Sequence, residues 1–209
     1  MIFKDRVEAG KKLAAALEKY NRSPEAVILG LPRGGAVVAA EAAKLLNLPL
    51  DIIVPRKIGA EFNPEYAIGA ITETGETIWN EEERQNADPE YLKRIIKEEQ
   101  AEAMRRLNAY RGARLPRDIK NKIAILVDDG VATGLTMRAA IKTARAERPK
   151  KIVVAVPHGA GDSMEIIKKE ANEIIVLFTP AVYGAVGQFY ESFEQVEDNI
   201  VINLLKQAE

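Results

Sequence analysis

The sequence predicts an α/β fold, a doubly wound and mainly parallel five-stranded sheet with helices on both faces. Three observations carry that expectation. Five short apolar runs, at Ala26–Gly30, Leu50–Pro55, Ile123–Val127, Lys151–Val156 and Glu173–Phe178, are too continuous to leave one face in water. Such runs are the mark of strands buried on both sides. Helical patterns alternate with most of them, which is the arrangement of crossover units. Two of the runs also stop in glycine-rich turns that open directly into helices. Right-handed crossovers restrict the topology, and the expected strand order is 2-1-3-4-5. In such a sheet the ligand crevice lies at the carboxyl ends of the strands beside the reversal of order. Here that is between the first and third strands.

The chain of 209 residues suits one domain over 1–209, with an excursion at 66–117 and a C-terminal tail or hood at 180–209. Hydrophobic residues make up 47%, enough for a sizeable core. The net charge of −1 supplies no global field for nucleic acid or anionic membrane, so neither is an expected partner. Any phosphate affinity must be local. The absence of cysteine excludes disulfides, thiolate metal sites and thiol nucleophiles. The first residues, MIFKDRVEAGKKL, lack the apolar core of a secretion signal. No run has the length to span a bilayer. A cytoplasmic protein is expected.

In chain order, residues from about Asp5 to Tyr20 read as an amphipathic helix with Val7, Leu13, Ala14, Leu17 and Tyr20 inward. Ser23-Pro24 ends it. The first strand runs into Leu31-Pro32-Arg33-Gly34-Gly35 and a small-residue helix, Ala36 to Leu46. That turn is a candidate anion loop, with Arg33 able to supply a bidentate guanidinium; on its residues alone it reads rather as an ordinary tight turn. The second strand runs into Arg56-Lys57-Ile58-Gly59. Two adjacent cations at a buried strand end are unusual. The following residues read as a loop, with Gly59 and Asn63-Pro64 as hinge and punctuation. Tyr66–Thr72 and Thr77–Trp79 form an expected hairpin around Glu73-Thr74-Gly75. Asp88-Pro89 starts a helix that runs to about Tyr110, with Leu92, Ile96, Ala103, Leu107 and Tyr110 near one face and solvated charges elsewhere. Gly112 ends it. The excursion suits a flap or a dimer contact.

The third strand carries the densest signal. Ile123–Val127 stops at Asp128 and Asp129, followed by Gly130-Val131-Ala132-Thr133-Gly134. A helix begins near Leu135, with Met137, Ala140, Ile141 and Ala144 on one apolar face. Amides at a helix start have no internal partner and face outward. The hydroxyls of Thr133 and Thr136 can add to them, and the glycines allow close approach of a phosphate. A P-loop needs lysine directly after its second glycine, whereas Leu135 follows Gly134; the dinucleotide fingerprint needs another glycine spacing. Carboxylates beside a phosphate cradle suit a ligand with a phosphate at one end and vicinal hydroxyls next to it. A ribose 5-phosphate has that shape.

The fourth strand ends in Pro157-His158-Gly159-Ala160-Gly161, and Asp162 or Ser163 is expected to cap a helix to about Ala171. His158 is the only histidine. The fifth strand leads to an irregular tail in which Tyr183, Phe189, Tyr190 and Phe193 cluster, part core and part available to stack on a planar ligand. Asp198–Lys206 reads as a closing helix. There is no fixed-period repeat and no low-complexity linker.

The segment Ile125-Leu126-Val127-Asp128-Asp129-Gly130-Val131-Ala132-Thr133-Gly134-Leu135-Thr136 resembles the phosphoribosyl pyrophosphate (PRPP) motif of the type I phosphoribosyltransferases. The resemblance is sharp there, moderate at Gly30–Gly35 and Arg56–Lys57, and extends over nearly the whole chain in strand and loop order. It implies an enzyme of nucleotide metabolism that moves 5-phosphoribosyl from PRPP to a nitrogenous acceptor, a nucleobase by analogy, and releases pyrophosphate. It implies that Asp128 and Asp129 hold the ribose hydroxyls. Gly130, Val131, Ala132, Thr133, Gly134, Leu135 and Thr136 would grip the 5-phosphate. Arg33, Gly34, Arg56 and Lys57 would bind pyrophosphate, with Lys57 catalytic, under a mobile loop that starts nearby. His158, Phe189 and Tyr190 become acceptor-contact candidates. It further implies Mg2+ held mainly by PRPP near Asp128 and Asp129, with no certain protein ligand, and a homodimer. Family members acting on 6-oxopurines tend to carry an acid where this chain has Ala132, which leaves the acceptor open. Two other readings stay open: a PRPP-binding regulator without efficient turnover, and another sugar-phosphate or nucleotide enzyme on the same fold.

Overall fold

A computed structural model describes residues 1–208. The chain opens with α1 (Arg6–Ala16), capped by Asp5, whose carboxylate accepts the Glu8 amide at 2.8 Å. A separate 3-10 turn over Glu18–Tyr20 follows, so the expected single helix to Tyr20 is broken at Leu17. Ala9, Gly10, Leu13 and Ala14 form the buried stripe. Val7 lies at the margin of that stripe and is exposed rather than inward.

β1 (Ala26–Gly30), α2 (Gly34–Leu46) and β2 (Leu50–Ile52) come next. Then the chain leaves the main sheet. β3 (Arg56–Ala60), β4 (Asn63–Ile71) and β5 (Thr77–Trp79) build a separate antiparallel sheet in that order. The segment read as a loop after the second strand is therefore a strand, and the second core strand is shorter than expected. β3 pairs Arg56 with Ile71 and Lys57 with Ala70, and its register slips around Gly59. Its physical reason is a satellite core: Ile58 buries against Ile68, Ile71 and Tyr91. The hairpin tip presents Phe62, 95% exposed.

A short helix that the sequence did not announce, α3 (Glu81–Asn86), precedes α4 (Pro89–Arg111). Asp88 caps α4, accepting from the Tyr91 amide at 2.8 Å, and Gly112 ends it at φ 56°. Tyr91, Ala103 and Tyr110 are its buried positions. The main sheet then resumes with β6 (Ile123–Val127), α5 (Leu135–Ala146), β7 (Lys151–His158), α6 (Gly161–Glu170) and β8 (Glu173–Phe178), and α7 (Asp198–Gln207) closes the chain.

The main sheet has the order β2-β1-β6-β7-β8, every pair parallel. Counted along its own strands, that is the expected 2-1-3-4-5. One core lies under α1, α2 and α7, the other under α5 and α6. The excursion is stitched to this sheet by a buried ion pair. Arg117 donates to Glu73 at 2.7 Å and to the Ile52 carbonyl at 3.0 Å, while Glu73 also accepts the Val54 amide. Their side chains are 6% and 1% exposed. Among the described residues no helix is long and apolar enough to cross a membrane.

Candidate active site

β1 and β6 lie side by side in full parallel register, so Gly30 sits opposite Val127. Beyond them the two glycine-bearing turns meet, and the Leu31 amide donates to the Val127 carbonyl at 2.9 Å. The Pro32–Arg33 peptide is cis. Asp128 and Asp129 leave β6 and pack directly on the start of α2. A Cβ on Gly34 would collide with Asp129 Oδ2, and one on Gly35 would lie 2.7 Å from Asp128 Cα. These glycines therefore make room for the acid pair as well as for any phosphate. The carboxylates thus lie at the N-terminal end of α2, a favourable end for negative charge.

The loop after the acids is held from outside. The Val131 amide donates to the His158 carbonyl at 3.0 Å, and the Val131 carbonyl accepts from Ala160 at 2.8 Å. Ser163 Oγ donates to the Ala132 carbonyl at 2.6 Å. That bond is why Ser163 is not a cap: the residue before α6 is Ala160, with no side-chain cap, and Ser163 is used across the loop instead. Gly134 enters α5 at φ 77°. The amides of Ala132, Thr133 and Gly134, and the hydroxyls of Thr133 and Thr136, make no hydrogen bond within the described residues. Polar groups fixed in place and unpaired are what an anion cradle requires.

The electrostatics of the acid pair are unequal. Asp129 receives Arg6 Nε on Oδ2 at 2.7 Å, both side chains being about one-tenth exposed, at 13% and 11%. The Tyr190 hydroxyl donates to the Asp129 carbonyl at 2.6 Å. Asp128 accepts the Asp129 amide on Oδ1 at 2.9 Å. Burial first, and then the charge of Asp129, hold the Asp128 carboxyl well above the usual carboxylate range.

The expected cations are distributed unevenly. Arg33, beside the acids, reaches toward Asp198 of α7 at 3.7 Å. Arg56 donates to Glu99 of α4 at 2.7 Å. Lys57 donates to the Glu65 carboxylate and carbonyl at 2.9 and 3.1 Å. Both β3 cations thus have acidic partners, Lys57 on β4 and Arg56 on α4.

His158 ends β7 as expected but is fully buried rather than open on the ligand edge. Phe3, Tyr183, Phe189 and Tyr190 surround its ring, and a Cβ on Gly130 would collide with it. Nδ1 pairs with the Tyr183 hydroxyl at 2.9 Å, whereas Nε2 has no partner among the described residues. Burial pushes its pKa down to about 4, so it is neutral at pH 7. Burial also raises the Tyr183 and Tyr190 phenols, with Asp129 next in effect.

Sequence reasoning missed Arg6, Tyr183 as the histidine's partner, and Tyr190 as a tie to Asp129. Each acts across a long sequence separation: 123 residues for Arg6 and 61 for Tyr190. The one available signal was indirect, since two carboxylates at a buried strand end require a compensating cation. Among the described residues no group of three or more histidines or carboxylates could hold a metal ion.

A family model described as the phosphoribosyl transferase domain matches residues 3–190. A candidate phosphoribosyl transferase of Mycobacterium tuberculosis H37Rv, Rv0571c, is 40% identical over 209 residues, covering 99% of this chain and 47% of that protein. The chain thus spans about half the length of the curated relatives it matches. The crystal structure of TT1426 from Thermus thermophilus is 40% identical, covers 99% of both chains and superposes with a TM-score of 0.82.

Proposed function

The chain belongs to the phosphoribosyltransferase family, and from that premise we propose that it transfers the 5-phosphoribosyl group of PRPP to a nitrogen nucleophile and releases pyrophosphate. One observation carries the reading: paired acids and a loop of unpaired amides lie together at the carboxyl end of β6, beside β1, at the reversal of strand order. On this reading Gly130 to Thr136 hold the 5-phosphate. Asp128 and Asp129 accept hydrogen bonds from the ribose hydroxyls. As the anomeric C–O bond breaks, positive charge grows on the ribose and negative charge on the departing pyrophosphate. Fixed carboxylates beside the first and fixed donors beside the second lower the barrier, because they need no reorganisation as charge develops.

Pyrophosphate lies against Arg33 and Gly34 in this scheme. Lys57 and Arg56 join when the β3–β4 hairpin moves over the ligand, exchanging Glu65 and Glu99 for phosphate oxygens. Mg2+, a cation that keeps most of its shell from water and phosphate, would be held mainly by PRPP oxygens near Asp128 and Asp129; when bound, it would neutralise charge on pyrophosphate. Closure excludes water, which competes as a nucleophile. The acceptor is planar, with Phe189 and Tyr190 of the tail nearest the buried His158. His158 supports that wall rather than touching the acceptor. Residues 1–209 act as one transferase domain, with the β3–β5 sheet and α4 as its flap, in a cytoplasmic homodimer.

A second reading has one observation in its favour. Both β3 cations are paired with acids away from the crevice, which suits a protein that binds PRPP without turning it over. Pyrophosphate release in a screen of PRPP and Mg2+ against nitrogenous bases separates the readings. Release with any base supports transfer; tight PRPP binding without release supports the regulator. Failure to bind PRPP overturns both.

A further inference from the structure

The acids after β6 meet a cation that comes from the N-terminal helix, 123 residues earlier in the sequence. Arg6 is the first residue of α1. Its Nε donates to Asp129 Oδ2 at 2.7 Å, and its terminal nitrogen donates to the Glu194 carbonyl at 2.8 Å. The guanidinium lies 3.8 Å from the Phe193 ring centroid, so the plane is fixed by stacking as well as by bonds. The pair is about nine-tenths removed from solvent, unlike a surface salt bridge that contributes little.

The surrounding backbone holds this arrangement. Phe3 exchanges hydrogen bonds with Phe189 and Glu191, at 2.8 Å each, and the Lys4 carbonyl accepts from Ser192 at 2.9 Å. Residues 3–4 and 189–192 therefore run together beside the acids. Tyr190 adds the bond to the Asp129 carbonyl. Asp129 is thus tied by its side chain to the N-terminal helix and by its backbone to the C-terminal tail. The guanidinium also stands at the first glycine of α2, where a Cβ on Gly34 would come within 2.7 Å of Nε.

We infer that Arg6 is a positioning residue of the transfer site, holding the Asp129 carboxylate in place for a ribose hydroxyl. The inference rests on the proposed PRPP reading. It follows from the chemistry of the pair. A carboxylate held at one oxygen by a stacked guanidinium has lost the freedom to rotate, and the ligand no longer meets that entropy when it binds. Arg6 acts through Asp129, so its effect belongs to ligands that carry ribose hydroxyls.

The test is calorimetric binding of PRPP with Mg2+ to wild type, Arg6→Gln, Arg6→Lys, Asp129→Asn and the Arg6→Gln/Asp129→Asn double variant, with inorganic pyrophosphate as a second probe. The expected result is about a tenfold loss of PRPP affinity in Arg6→Gln, the scale of one charged hydrogen bond. Pyrophosphate affinity should change by less than about twofold. In the Asp129→Asn background the same substitution should add almost nothing, because partners in contact are not additive. Arg6→Lys, which keeps the charge without the fork, should recover part of the affinity and serves as the test should Arg6→Gln not fold. Unchanged PRPP affinity overturns the inference. So does an equal loss for PRPP and pyrophosphate, which would make Arg6 a direct pyrophosphate ligand, or a full additional loss in the double variant. A wild-type protein that does not bind PRPP removes the functional reading itself, a result distinct from all of these.

Discussion

Gly35→Ala tests whether the backbone of the two turns sets the spacing of the crevice. The added Cβ would lie 2.7 Å from Asp128 Cα, 3.0 Å from the Val127 carbonyl oxygen and 2.6 Å from Asp128 Oδ1. Carbon atoms rest about 3.5–4.0 Å apart, so the end of β6 and the start of α2 must separate by roughly 1 Å. Two of the three atoms met are backbone and cannot rotate away. Overpacking of this kind costs about 1–3 kcal/mol, partly offset by the roughly 0.5–1 kcal/mol that alanine gains over glycine in a helix. The net loss of about 1–2 kcal/mol corresponds to a melting temperature lower by about 2–8 °C for a chain of this size. The functional effect is expected to be far larger, because displacing a catalytic group by about 1 Å costs on the order of 100-fold. Scanning calorimetry gives the first quantity and PRPP binding with Mg2+ the second. Gly34→Ala is the comparison: its Cβ meets Asp129 Oδ2 and Arg6 Nε, the two partners of the buried ion pair, so its cost should come from breaking that pair while the spacing of β6 and α2 is kept. If Gly35→Ala melted with wild type and bound PRPP equally, the close approach of α2 to the acids would not define the site.

Asp129→Asn should keep the fold and lower PRPP-dependent turnover by roughly 100- to 1000-fold, the range seen when one fixed electrostatic partner is removed; equal turnover would count against the whole assignment. Lys57→Ala should slow pyrophosphate release more than it weakens binding of a ribose 5-phosphate probe, and an unchanged rate would remove Lys57 from the scheme. His158 gives a pH prediction. Its pKa is pushed down to about 4 from an ordinary 6.5, so as pH falls through that interval the unfolded chain takes up a proton that the native protein refuses. Native stability should fall by up to about 3 kcal/mol by pH 4. Asp128, held high, contributes in the opposite sense, with stability present at low pH and lost as pH rises. The difference in denaturation free energy between wild type and His158→Gln isolates the histidine; parallel pH profiles would contradict its burial as a neutral ring. Arg117→Met should destabilise by about 3–5 kcal/mol by leaving Glu73 charged and unpaired, and adding Glu73→Gln should restore part of it. No recovery in urea denaturation of the double variant would place the loss in packing instead.

What could be read from the sequence was what acts locally or by a general topological rule. The strand, acids, loop and helix from Ile123 to Ala144 are contiguous, so their chemistry survived as a pattern. The crevice between β1 and β6 followed from where the strand order reverses. The strand nature of Arg56–Ala60 was hidden because its pairing is irregular: the register slips at Gly59, and only Ile58 and Gly59 are buried. Ser163 misled as a cap because its hydroxyl satisfies the Ala132 carbonyl across the loop, a demand no helix signal reports. Arg6 is the sharpest case. In sequence it is one basic residue in the first turn of an amphipathic helix, indistinguishable from Lys11 or Lys12, which are exposed. What sets it apart is the carboxylate of Asp129, brought to it by the fold. Physical chemistry does demand a cation there, since an acid pair at the end of a buried strand cannot stay charged without one. That demand names the kind of residue but not its place in the chain. The counter-charge comes from the N-terminal helix because the segment before it runs beside residues 189–192, and that pairing of Phe3 with Tyr190 is carried by backbone bonds no side-chain pattern records.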